Sequence, residues 1–170
     1  GSSLVMPGPD LSPKGILTLL QSEKVTLTAG VPTIWMGMVP LLEDYDLTSL
    51  REIICGGSAV PKALSEAWRA KVGLPITQAW GMTEMSPLGT VCTLRSEFDD
   101  LDEDAKADIR ATAGRPPIGV EMRIVEADSR AELPWDKTAV GELGTRGPWT
   151  RRQYDRTDEP GAQYAQEGGR

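Results

Sequence analysis

At 170 residues the chain can bury about 70% of its unfolded surface in one core, and no run of about 18 apolar residues offers a membrane span. Its 18 basic and 25 acidic residues give a formal charge of −7, which disfavours loose binding to nucleic acid or anionic lipid. There is no histidine, so neither a Ser-His-Asp nor a Cys-His mechanism can be assembled. The two cysteines, Cys55 and Cys92, lack metal-ligand spacing, and no structural zinc is expected. With no basic-then-apolar leader at the start, a reducing compartment is expected, and the cytoplasm is the predicted location.

From Leu4 to Trp80 short apolar runs alternate with stretches of helical spacing, the pattern that builds a parallel sheet from βαβ units. Strands are predicted at Ser3–Met6, Val25–Ala29, Glu52–Cys55 and Pro75–Trp80. A first helix should start at the Ser12 cap with Pro13 in its first turn, present Ile16, Leu17 and Leu20 to the sheet, and end near Ser22. A second should follow Val31-Pro32 and run to about Glu43, with Pro40 kinking or shortening it. A third should open at Pro61, bury Leu64, Ala67 and Trp68, and close at Gly73.

Past Trp80 the spacing predicts a strand at Gly89–Leu94, then a surface helix or loop over the acidic stretch Glu97 to Asp108. Pro116-Pro117 breaks the chain, and two antiparallel ribbons follow at Val120–Glu126 and Val140–Arg146. The tail is polar and Gly-rich, with a short helix around Asp158–Gln166. The expected fold class is α/β: a parallel βαβ sheet over residues 1–112, the start of a small β-rich subdomain over 113–150, and a polar tail over 151–170.

Two segments could carry chemistry. Gly56-Gly57-Ser58 lies between a strand and a helix, where backbone amides can face a nucleotide without side-chain obstruction. Alone, it reads first as a tight strand-to-helix turn. Gln78-Ala79-Trp80-Gly81-Met82-Thr83-Glu84 combines a flat ring, an amide, a hydroxyl and a carboxylate. A ring stacks on a base, an amide reads its edge, a hydroxyl bonds a phosphate oxygen, and a carboxylate holds Mg²⁺. The same residues fit a buried Trp at a strand end with Thr83 capping a helix equally well.

The pairing of Gly-Gly-Ser-Ala-Val-Pro at 56–61 with Gln-Ala-Trp-Gly-Met-Thr-Glu at 78–84 resembles the adenylate-forming superfamily of acyl-CoA synthetases, peptide-synthetase adenylation domains and luciferases. Ala-Gly-Val-Pro-Thr at 29–33, Ala-Gly-Arg-Pro at 113–116, Gly-Val-Glu-Met-Arg-Ile-Val at 119–125 and Gly-Glu-Leu-Gly-Thr-Arg-Gly at 141–147 extend the likeness in family order. The Trp80–Pro87 wording is most similar to medium- and long-chain fatty acyl-CoA ligases, including those acting on methylmercaptopropionate.

The resemblance implies that Gly57, Ser58 and Ala59 line the adenine, that Gln78 meets its edge, and that Trp80 stacks on it within the Ala79-Trp80-Gly81-Met82 turn. It gives Thr83 the phosphates and Glu84 the Mg²⁺, the pair standing as candidate catalytic residues. Val31, Trp35, Gly57, Gly81 and Met82 would border the acyl pocket, although an apolar stripe such as Trp35 and Met38 at helical spacing is also ordinary core. Arg115 reads as a structural residue. The implied substrates are a carboxylic acid, ATP and CoA.

The family's Ser/Thr/Gly-rich phosphate loop ending in Lys-Gly, its ribose-binding Asp and its catalytic Lys have no counterpart in these 170 residues, which end at Glu167-Gly168-Gly169-Arg170. The chain is therefore expected to be a piece of an ATP-dependent fatty acyl-CoA ligase that does not turn over alone. A nucleotide-binding or interaction module without catalysis, or part of an amino- or aryl-acid adenylating enzyme, remain the alternatives. An open sheet edge is expected to favour self-association in isolation.

Overall fold

The computed structural model describes residues 1–136 and 138–150, and the predicted tail with its helix around Asp158–Gln166 lies outside the described residues. The backbone gathers into two units, one of Gly1–Gly81 with Thr90–Arg115, the other of Met82–Gly89 with the described residues from Pro116 to Thr150. Among the described residues no helix is long and apolar enough to cross a membrane.

The first unit opens without the strand expected at Ser3–Met6, whose residues are irregular and exposed, Leu4 to 87% and Met6 to 79%. An apolar run becomes a strand only beside a partner, and Pro7, directly after it, has no amide hydrogen with which to extend a ladder. Helix α1, Pro13–Ser22, begins as the cap predicts: the Ser12 hydroxyl accepts from the Gly15 amide at 3.1 Å, and Ile16, Leu17 and Leu20 are buried.

Strand β1 is Leu27–Gly30, and helix α2 follows over Pro32–Met38. The expected run to Glu43 does not stay α-helical; it tightens into a 3₁₀ turn over Val39–Asp44 that still buries Leu42. Pro40 has no amide hydrogen for the α pattern and its ring crowds the preceding turn. Strand β2, Glu52–Cys55, leads into helix α3, Lys62–Val72, which ends at Gly73 with φ +81° and its amide on the Arg69 carbonyl at 2.9 Å. Helix α3 buries Leu64, Ser65 and Trp68, with Ser65 deeper than the predicted Ala67. A buried hydroxyl is tolerated there because the Ile76 amide donates to Ser65 Oγ at 3.0 Å.

The core joins α2 to α3 through two tryptophans. Trp35 and Trp68 meet edge to face with centroids 5.8 Å apart, and the Trp68 indole donates to the Trp35 carbonyl at 3.2 Å. Such a pair adds about 0.5–1.5 kcal/mol beyond its buried area. Leu17, Met38, Ile53, Leu64 and Ile76 belong to the same buried cluster.

Strands β3, Thr77–Gly81, and β4, Leu88–Val91, complete a sheet of order β1-β2-β3-β4. β1, β2 and β3 are parallel, and their register aligns Gly30 with Cys55 and Cys55 with Gln78. Beyond β4, Val91 exchanges backbone hydrogen bonds with Arg115, whose side chain is mostly solvent-exposed, as a structural residue's can be.

The acidic stretch forms a second capped helix, α4, Glu103–Arg110, whose Asp102 cap accepts from the Ala105 amide at 2.8 Å. Charge fastens it to α3. Lys62 reaches Asp104 at 2.8 Å and Asp108 at 2.6 Å, while Arg110, only 10% exposed, reaches Glu103 at 3.2 Å and Glu66 at 3.6 Å.

The second unit holds a small antiparallel sheet of order β6-β5-β7, made by Glu121–Val125, Glu132–Leu133 and Glu142–Arg146. The ribbons predicted at Val120–Glu126 and Val140–Arg146 are its β5 and β7, paired antiparallel from Glu121 opposite Arg146 to Val125 opposite Glu142. The two-residue β6, Glu132–Leu133, lies between them in sequence, where no strand was predicted.

Hydrogen bonds from Lys62 hold the Asp104 carboxyl below its ordinary range, and those from Arg110 do the same for Glu103. Carboxyls lowered on folding stabilise fully above their unfolded values and lose that contribution as the pH falls through the lower folded ones. Lys62, raised by Asp104 and Asp108, contributes below its ordinary value and loses its share only at higher pH. Lys62→Met should therefore flatten the loss of stability between about pH 5 and pH 3, read by urea unfolding across that range. An unchanged acid limb would show that the α3–α4 ion pairs contribute nothing measurable.

Candidate functional site

β1 and β2 end level at Gly30 and Cys55, while β3 passes the matching position at Gln78 and runs on to Gly81. The aligned row is Gly30, Cys55 and Gln78. Gly30 lacks a side chain where the Trp35 indole packs: a Cβ there would lie 2.8 Å from the ring. Burial pushes the Cys55 thiol up to about 11, which keeps it neutral and unreactive near pH 7. Cys92, also buried, donates to the Ile109 carbonyl at 3.1 Å. Both cysteines are interior residues.

Beyond this row the loop from Gly56 to Val60 is tied at both ends. The Gly56 amide donates to the Gly30 carbonyl at 3.1 Å, and the Val60 amide donates to Gln78 Oε1 at 2.8 Å. Between the ties, Gly57, Ser58 and Ala59 are exposed. Gly57 has φ +85°, a conformation that side chains resist, and a Cβ on it would stand 3.3 Å from Val31 Cγ1. Gly56 backs onto the Ala79 carbonyl, 3.1 Å from where its Cβ would be, so the loop runs beside β3 one residue from the half-buried Trp80.

The predicted site residues thus separate by environment. Val31, Gly57, Ser58, Ala59, Gln78 and Ala79 come together at the carboxyl ends of β1, β2 and β3, with Trp80 and Gly81 closing β3. Gln78, expected to present its amide to a base, is only 7% exposed, and its oxygen is committed to Val60. Trp35, 1% exposed, stands in the core beneath Gly30 rather than at the surface of Val31.

In the second unit, Met82 donates its amide to the Pro87 carbonyl at 2.8 Å, and one 3₁₀ turn carries Thr83, exposed, and Glu84, half-buried. Met85, fully buried, roots that turn. The described residues hold no cluster of three or more metal-ligating side chains. A single carboxylate at Glu84 is nevertheless compatible with Mg²⁺, which commonly takes one or two carboxylates and completes its shell with phosphate oxygens and water.

The features missed from sequence are the Gln78–Val60 tether and the close packing of the Trp35 indole on Gly30. A glycine ending a strand and a glutamine inside an apolar strand were their only signals.

A family model described as AMP-binding enzyme matches residues 1–155. The chain is 38% identical to a 3-methylmercaptopropionyl-CoA ligase of Ruegeria lacuscaerulensis over 156 residues, 91% of this chain and 29% of that protein. It is also 38% identical to a medium-chain-fatty-acid–CoA ligase of Ectopseudomonas oleovorans over 164 residues, 95% of this chain and 30% of the relative. Among solved structures, ATP-bound MatB from Rhodopseudomonas palustris superposes with TM-score 0.71 at 26% identity, over 94% of this chain and 29% of that one. The chain spans less than a third of the length of each.

Gly57→Ala should lower stability by about 1–3 kcal/mol, because it combines an unfavourable φ with a tight contact. Adding Val31→Ala should recover only the contact's share. Urea unfolding of the single and double variants checks this, and a neutral Gly57→Ala would mean that the loop relaxes at no cost.

Proposed function

Because this chain belongs to the AMP-binding enzyme family, we propose that it carries adenine and acyl contacts of an ATP-dependent acyl-CoA ligase acting on an aliphatic carboxylic acid. In that reaction a carboxylate oxygen attacks the α-phosphorus of ATP and pyrophosphate leaves. The CoA sulfur then attacks the acyl carbon of the adenylate, a thioester forms, and AMP departs. The observation that carries the reading is the exposed Gly57–Ala59 backbone, tied to β1 and β3 on either side and running one residue from Trp80.

Each group has a task suited to its chemistry. Backbone groups of Gly57, Ser58 and Ala59 read the base edge, and the Trp80 ring supplies a stacking surface. Val31 and Gly57, in contact range, border the acyl group. Thr83 offers a hydroxyl to phosphate, and Glu84 offers one oxygen to Mg²⁺, which neutralises phosphate charge when bound. The two ligases reported above, both 38% identical and both named for aliphatic acids, support an aliphatic substrate. None of the residues in 56–60 or 78–84 is a cation, so these two segments offer no positive charge to the departing pyrophosphate.

A chimera of the Ectopseudomonas oleovorans ligase with these residues in place of its matching segment should show fatty-acid-dependent ATP–pyrophosphate exchange. The chain alone should show none. A folded chimera without exchange contradicts the reading. The open edge of β1, with Leu27 exposed, further supports self-association of the isolated chain. Light scattering should give a mass above the monomer's that rises with concentration, whereas a monomer at every concentration rules it out.

A further inference from the structure

Gln78 is the one glutamine in the core-facing row of the sheet, and burying its amide is costly unless its polar atoms are used. Its oxygen is used for a residue 18 positions away, the Val60 amide at 2.8 Å. Val60 is itself buried, so without that oxygen its N–H would be left without a partner in the interior. The Gln78 carbonyl meanwhile accepts from the Cys92 amide at 2.8 Å, which fixes the residue from its other side. Resting on the nucleotide reading above, we propose that Gln78 is a positioning residue: its side-chain oxygen holds Val60 and so sets the exposed Gly57–Ala59 backbone in the shape that receives an adenine nucleotide.

The geometry separates this role from direct contact. The loop has two anchors, Gly56 to Gly30 and Val60 to Gln78, with three exposed residues between them. Gly57 at φ +85° lies in a conformation that a loosened loop has no reason to keep. Gln78 is only 7% exposed, with its oxygen turned to Val60, so little of its amide faces a ligand. Its contribution to binding therefore passes through the backbone it holds.

Two variants divide the possibilities. Gln78→Met keeps the length and deletes the acceptor; Gln78→Glu keeps an acceptor and deletes both N–H donors. In the 170-residue chain, Gln78→Met should speed amide exchange at Val60 and weaken AMP binding by about tenfold, the loss expected for one stranded buried donor. Gln78→Glu should rescue both. Exchange is read by NMR and affinity by calorimetry with AMP.

If Gln78→Glu loses AMP as badly as Gln78→Met while Val60 stays protected, Gln78 touches the nucleotide directly and the proposal falls. If Gln78→Met leaves Val60 exchange unchanged, the tether does not exist in solution and the proposal falls as well. A parent chain that binds no AMP at millimolar concentration defeats the nucleotide reading and the ligand half of the proposal. The Val60 exchange contrast then still decides whether Gln78 is the loop's anchor.

Discussion

The level register of three parallel strands at Gly30, Cys55 and Gln78 is the constraint from which the rest of the site follows. Neighbouring parallel strands deliver the loops that leave their carboxyl ends to one edge of the sheet, which is why ligands in open α/β sheets gather there. Below that row the same residues seal the core. Gly30 leaves room for the Trp35 indole, Trp35 packs edge to face on Trp68, and Trp68 roots α3. Above it, Val31 meets Gly57 and the Gly56–Val60 loop is drawn across β3. The site and the core are two faces of one arrangement of strand ends.

Charge is distributed in keeping with this division. The cations Lys62, Arg69 and Arg110, on α3 and α4, are occupied by carboxylates of the same two helices, and the pairs of Lys62 with Asp104 and Asp108 and of Arg110 with Glu66 cross from one helix to the other. The strand ends of the first unit instead offer the exposed backbone of Gly57–Ala59 and the Trp80 ring, with no cation in 56–60 or 78–81. Such groups suit a base rather than balance a triphosphate. This composition fits a family of AMP-binding enzymes of which the chain spans less than a third of the full relatives.

Much of the fold was legible because local signals and long-range packing agreed. Ser12 before Pro13 marked the start of α1, Gly73 marked the end of α3, and alternation after Pro116-Pro117 marked β5 and β7. Failures came where a local pattern needed a distant partner. Ser3–Met6 has strand composition but no neighbour to pair with, whereas Pro40 shortened α2 as its position predicts, with a 3₁₀ turn following. Motif wording picked out the segments proposed for the site, yet it could not show that Gln78 points into the core toward Val60. That direction depends on a register set by residues far away in sequence. Trp35 shows the same limit, since helical spacing alone does not say which side of Gly30 its ring occupies.

The central claim is that the strand-end loops of the first unit receive an adenine nucleotide. Titrating the isotopically labelled chain with AMP and following its amide resonances tests this directly. The account predicts shifts concentrated at Gly57, Ser58, Ala59 and Val60, together with the Trp80 indole, while α1 and α4 stay unmoved. Saturable shifts that leave the 56–60 loop untouched, or none at millimolar AMP, would contradict it.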